Sequence, residues 1–64
     1  MEQYQIDIIK TAFNRCYGLQ SMVERVEPND KMFDITVEVL ANQTGMIVSF
    51  IKANINQIKE FKTV

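Results

Sequence analysis

The side chains best able to make directed contacts lie in the last third of the chain. They are Ser49, Lys52, Asn56 and Lys59, which follow one another at steps of three, four and three residues. On a helix this spacing places all four on one face. Hydroxyl, carboxamide and ammonium groups are hydrogen-bond donors, and the first two also accept. The spacing therefore predicts a polar binding face on a C-terminal helix.

Catalytic and metal chemistry have few candidate residues. Histidine is absent and Cys16 is the single cysteine, so a Cys–His pair cannot form within the chain and zinc would depend on carboxylates. We interpret Cys16 as a buried hydrophobe on a helix, in a protein of a reducing compartment. Asp34 has helical spacing to both Asp30 and Glu38, but no cofactor ligand accompanies these pairs. We expect no enzyme, no metal and no cofactor.

Length and composition indicate one small globular domain over residues 1–64. Hydrophobic residues make up 47% of the 64 residues, which is too apolar for a disordered chain. A domain this small buries only about 60% of its unfolded surface, so we expect a homodimer to supply further burial. A secretory signal and a run of about 18 apolar residues are both missing from the sequence. We therefore expect a cytoplasmic protein with no membrane contact.

Charge is unevenly distributed along the chain. Residues 1–46 carry four basic and seven acidic side chains, a net charge of −3. Residues 47–64 carry Lys52, Lys59 and Lys62 against Glu60, a net charge of +2. The C-terminal segment is thus the end expected to meet a polyanion, although a solvated helix face would show the same lysines.

Apolar residues recur at helical intervals from Tyr4 to Val26. The predicted inner positions are Ile6, Ile9, Phe13, Cys16 or Tyr17, Leu19, Val23 and Val26. This period predicts an amphipathic helix. Gly18 suits a left-handed helix end, so the segment forms either one bent helix or two short ones. Pro28 and its polar neighbours predict a turn after it.

The next segment fits two patterns. Residues 33–39 alternate between apolar and polar, as in a half-buried strand, and residues 42–45 would then turn a hairpin into a second strand up to residue 51. The apolar run, however, continues through Leu40 and Ala41, and Thr36 is a good N-cap for a helix beginning at Val37. We favour the helix.

Residues 35–58 resemble the helix-turn-helix of bacterial DNA-binding regulators. Ala41 stands where such motifs need a small residue between crossing helices, and Gly45 stands where the turn needs a positive φ. Leu40 and Met46 fill apolar positions beside the turn, and Ile51 is the branched residue that packs back on the first helix. The pattern prefers a polar cap where Ile47 stands and an apolar residue at Asn54, whose packing place Ile55 could take.

The resemblance implies a sequence-specific DNA-binding regulator of transcription. It assigns a first helix at 36–43 and a second at 47–61, with Ser49, Lys52, Ala53 and Asn56 toward the major groove. Lys59 is a further predicted DNA-binding residue. Asn56 could pair with adenine, and Lys52 with guanine or phosphate. The expected fold is a small all-α domain of three helices, dimeric, with the helix-turn-helix at 36–61 and double-stranded DNA as its partner.

Two alternatives remain open at this stage. A heptad pattern from Phe33 to Phe61 predicts one long helix in a two-helix hairpin that dimerises into a four-helix bundle; Gly45 weakens this prediction. The other alternative keeps the helix-turn-helix shape but binds a protein through an apolar surface of Ile47, Val48 and Phe50. Small acidic inhibitors encoded by phages and plasmids fit that description.

Overall fold

The computed structural model describes residues 1–63, which form helices and no strand. The helices are α1 (Gln3–Arg15), α2 (Leu19–Arg25), α3 (Met32–Thr44), α4 (Val48–Ala53) and α5 (Ile55–Ile58). The prediction of a small all-α domain is confirmed, with five helices in place of three, and the strand hairpin over 33–51 is wrong. The central helix is α3, which packs against α1, α2 and α4.

The first predicted helix is divided at Gly18. A reciprocal cap opens α1, where the Gln5 side chain accepts the Glu2 backbone N–H at 2.8 Å. Gly18 has φ 85° and directly precedes α2. Because a Cβ makes this left-handed conformation costly, glycine is the residue suited to the break. Of the two alternatives left open, the structure has the two short helices.

The third helix begins earlier than the sequence suggested. The prediction that Thr36 caps a helix beginning at Val37 is wrong, because α3 begins at Met32. The Asp30 carboxylate accepts the Met32 backbone N–H at 2.9 Å, which satisfies a donor that a helix start otherwise leaves free. Thr36 consequently lies in the second turn of α3, where only 1% of its surface is exposed.

The turn predicted at Gly45 is confirmed. Gly45 has φ 78°, and its N–H donates to the Ala41 carbonyl at 2.8 Å. The Thr44 hydroxyl donates to the Leu40 carbonyl at 2.7 Å and accepts the Met46 N–H at 3.2 Å. These bonds end α3 at Thr44, and three residues separate it from α4. An uninterrupted helix from Phe33 to Phe61, and with it the two-helix hairpin, is therefore wrong.

The predicted helix from residue 47 to 61 is also interrupted. Asn54 has φ −114° and ψ 13°, and it separates α4 from α5. Its side-chain Nδ2 donates to the Phe50 carbonyl at 2.8 Å, a local bond that competes with regular helix. The Ile58 N–H still donates to the Asn54 carbonyl, so helical bonding resumes directly after the break, and backbone hydrogen bonds continue to the Phe61 N–H, which donates to the Ile58 carbonyl.

One apolar core draws on all five helices. Its buried members are Ile9, Ala12, Phe13, Leu19, Val23, Val37, Leu40, Ile51, Ile55 and Ile58. Ile55 packs in the core as expected in place of Asn54, which is only half-buried. Of the two residues offered for the inner face of the first helix, Cys16 is half-buried and Tyr17 is fully exposed.

Candidate interaction surface

The predicted polar face is only partly assembled. Ser49, Lys52 and Ala53 are exposed on α4, and Asn56 is exposed on α5 beyond the break. Lys59 departs from the prediction, since its side chain is only 19% exposed. It follows α5 and turns toward Glu27, with Nζ 3.8 Å from that carboxylate. Four of the five predicted residues therefore remain accessible, on two helices of six and four residues.

Lys52 is held against α3. Its Nζ lies 3.3 Å from a carboxylate oxygen of Asp34 and 5.9 Å from the centre of the Phe33 ring. Both charged side chains remain substantially exposed, so the pair contributes only about 0–1 kcal/mol to stability. It still gives the lysine a defined direction along the boundary between α3 and α4.

An acidic rim borders this lysine. Asp34, Glu38, Val48 and Lys52 together line a shallow cleft between α3 and α4. Two carboxylates and one ammonium leave the cleft with a net negative charge. Such a rim repels phosphate and attracts cationic side chains.

The other two C-terminal lysines are also paired with acidic residues. Lys62 forms an ion pair with Glu24 of α2, and Lys59 approaches Glu27 as described. The hydrogen bond from Lys62 lowers the pKa of Glu24, and a weaker bond from Gln20 acts in the same direction. The positive end predicted from the sequence is therefore largely balanced by carboxylates from earlier in the chain.

An apolar surface lies at the start of α4. Ile47 is 70% exposed and Val48 is 38% exposed. Ile47 has extended backbone, φ −76° and ψ 150°, at the position preceding α4, while Met46 and Ile51 on either side pack against the core. Phe50, the third residue predicted for this surface, is half-buried. We call Ile47 and Val48, together with the acidic rim of Asp34 and Glu38, the 47–48 surface.

Sequence reasoning identified the apolar half of this surface and missed its acidic half. Asp34 and Glu38 were recognised as a pair on one helix face, but only as a candidate for catalysis or metal binding. Their position beside Val48 follows from the packing of α3 on α4. The sequence carries one signal for it: a turn at Gly45 lets α4 fold back and pack along α3.

Comparison with protein families, with curated proteins and with solved structures finds no match for this chain. Within residues 1–63, every helix falls short of the length and apolar character that a membrane crossing requires. The same residues contain no group of three or more cysteine, aspartate or glutamate side chains placed to hold a metal ion.

Proposed function

We propose that this chain is a protein-binding module whose contact site is the 47–48 surface. The partner is a segment of another protein that carries an aliphatic side chain next to a lysine or arginine. The single observation that carries the proposal is the exposure of Ile47, 70% of whose surface is open to water, directly before Val48, which lines a cleft of net negative charge.

The apolar contact would supply affinity. Full burial of an isoleucine side chain is worth about 1.5–3 kcal/mol. Scaled to the 70% of Ile47 that is exposed, burial by a partner is worth about 1–2 kcal/mol. Replacing Ile47 with serine should therefore weaken the complex about tenfold.

The acidic rim would supply selectivity. A partner arginine can replace Lys52 at the Asp34 carboxylate and donate hydrogen bonds to both of its oxygens at once, which a lysine cannot do. The exchange costs little because the existing pair is exposed and weak. Complementary charge of this kind mainly raises the association rate and excludes wrong partners.

A random peptide library displayed on phage tests the proposal. The wild-type chain is the bait, and Ile47→Ser and Tyr17→Ser are the comparison baits. Tyr17→Ser is the matched control, because Tyr17 is a fully exposed apolar residue elsewhere on the molecule. We expect enriched peptides that join an aliphatic residue to lysine or arginine, with about tenfold weaker binding to Ile47→Ser and unchanged binding to Tyr17→Ser. Absence of enrichment, or equal binding to Ile47→Ser, contradicts the proposal.

DNA binding with transcriptional control in the cytoplasm is the second candidate. The observations in its favour are the turn at Gly45 and the exposure of Ser49, Lys52, Ala53 and Asn56. Phosphate contacts release counterions, so a DNA complex weakens steeply as salt rises. Binding of a labelled duplex pool that is lost at high salt and in Lys52→Ala would favour DNA over a protein partner.

The homodimer expected from the size of the chain stays a prediction. Sedimentation of the wild type and of Ile47→Ser measures it directly. A dimer that becomes a monomer in Ile47→Ser would identify a second copy of the chain as the occupant of the 47–48 surface. A wild-type monomer would contradict the dimeric form of the DNA hypothesis.

A further inference from the structure

The outer face of α3 carries apolar side chains that the core does not bury. Ile35 is 50% exposed and Met32 is 45% exposed, and Val39 on the same side of the helix is half-buried. Their spacing of three and four residues places them in one stripe along α3. Val37 and Leu40, on the other side of α3, are fully buried. We call Met32, Ile35 and Val39 the α3 stripe.

Two charged residues flank the α3 stripe on one side. Lys31 directly precedes α3 and has helical backbone, φ −57° and ψ −31°, and Glu38 follows it by two helical turns. Both residues therefore lie on the same flank of the stripe. Both are exposed, and neither takes part in the ion pairs formed within residues 1–63. A positive and a negative side chain thus stand unpaired beside an apolar stripe.

These charges complement a second copy of α3 that runs in the opposite direction. In an antiparallel pair related by a two-fold axis, the same flank of each helix faces its counterpart. Lys31 of one copy then meets Glu38 of the other, and the symmetry repeats this contact. In a parallel pair the flank would instead face Thr36 and Gln43, which carry no charge, and Thr36 is buried. The charges therefore favour the antiparallel pair.

We propose that the chain forms an antiparallel homodimer through the α3 stripe. The two stripes cover each other, and the ion pairs between Lys31 and Glu38 set the direction of the helices. The contact shares only Glu38 with the 47–48 surface and is independent of the function proposed for that surface. A contact made by a single helix belongs at the small end of interface sizes, where complexes are weak and transient. Dimerisation should therefore depend on the concentration of the chain.

Sedimentation equilibrium of the whole chain, from about 10 µM to about 1 mM, tests the surface. We expect the wild type to pass from monomer to dimer in this range. Ile35→Ser should dimerise about 10–100-fold more weakly, because each dimer contains the half-exposed isoleucine twice. Ile47→Ser is the matched control, since Ile47 is an exposed isoleucine outside the α3 stripe, and it should dimerise as the wild type does. A wild-type monomer at about 1 mM, or a dimer lost in Ile47→Ser and kept in Ile35→Ser, would overturn the proposal.

Charge reversal tests the direction of the second copy. Lys31→Glu places glutamates opposite each other and Glu38→Lys places lysines opposite each other, so each single variant should dimerise about fivefold more weakly. The double variant restores both ion pairs with their signs exchanged, and it should dimerise as the wild type does. A parallel pair, or a dimer formed elsewhere on the molecule, gives no such rescue. A double variant that dimerises no better than the single ones would overturn the antiparallel dimer.

Discussion

Replacing Gly45 with alanine should destabilise the fold by an amount that the backbone alone determines. Gly45 has φ 78°, and a Cβ built there meets nothing within 4 Å. The cost is therefore the strain of a left-handed L-residue, about 1–2 kcal/mol, with no steric clash added. A domain of this size has a total stability of about 3–10 kcal/mol. The melting temperature should fall by about 4–16 °C.

Urea unfolding of the wild type, Gly45→Ala and Gly18→Ala measures this cost. Gly18 is the matched position, with φ 85° and equally open space around its Cβ, so both variants should lose similar stability. The sign of the change is decisive. Within a continuous helix, alanine is more favourable than glycine by about 1 kcal/mol. A Gly45→Ala variant that is more stable than the wild type would refute the turn and the separation of α3 from α4.

Three further variants test the packing and the electrostatics. Ile58→Ala should lower the free energy of unfolding by about 2–5 kcal/mol, because Ile58 is fully buried. Ile47→Ala should lower it by less than about 0.5 kcal/mol, because the Ile47 side chain is 70% exposed. Urea unfolding measures both, and equal losses would contradict the difference in burial. The lowered pKa of Glu24 means that its ion pair with Lys62 stabilises the fold above the ordinary glutamate pKa and is lost as pH falls through the lowered value. Glu24→Gln should remove this pH-dependent contribution when the free energy of unfolding is measured against pH. A pH dependence identical to that of the wild type would contradict the ion pair.

The helical elements were largely predictable because local signals determine them. Apolar spacing correctly identified buried positions such as Ile9, Val23 and Ile51. Gly45 marked the turn, since few other residues tolerate its φ. The start of α3 was misplaced because Thr36 and Asp30 are both good caps by residue type. Only the folded backbone shows that Asp30 makes the bond and that Thr36 is inside the helix.

The electrostatics of the candidate site could not be predicted in the same way. A segment charge of +2 suggested that Lys52, Lys59 and Lys62 would face a polyanion. Their partners are Asp34 in α3, Glu27 just after α2 and Glu24 in α2. These residues lie 18 to 38 positions earlier in the chain, and nothing in the local sequence marks the pairings. Net charge by segment therefore overstated the positive potential available to a ligand.

The most direct test of the 47–48 surface is a titration of the isotope-labelled chain with a peptide selected from the library, followed by amide chemical shifts. We predict that the largest shifts fall at Ile47, Val48, Asp34 and Glu38, and that Ile47→Ser weakens binding of the peptide about tenfold. Shifts centred instead on Ser49, Asn56 or the exposed Tyr4 of α1, with Ile47→Ser binding normally, would contradict it.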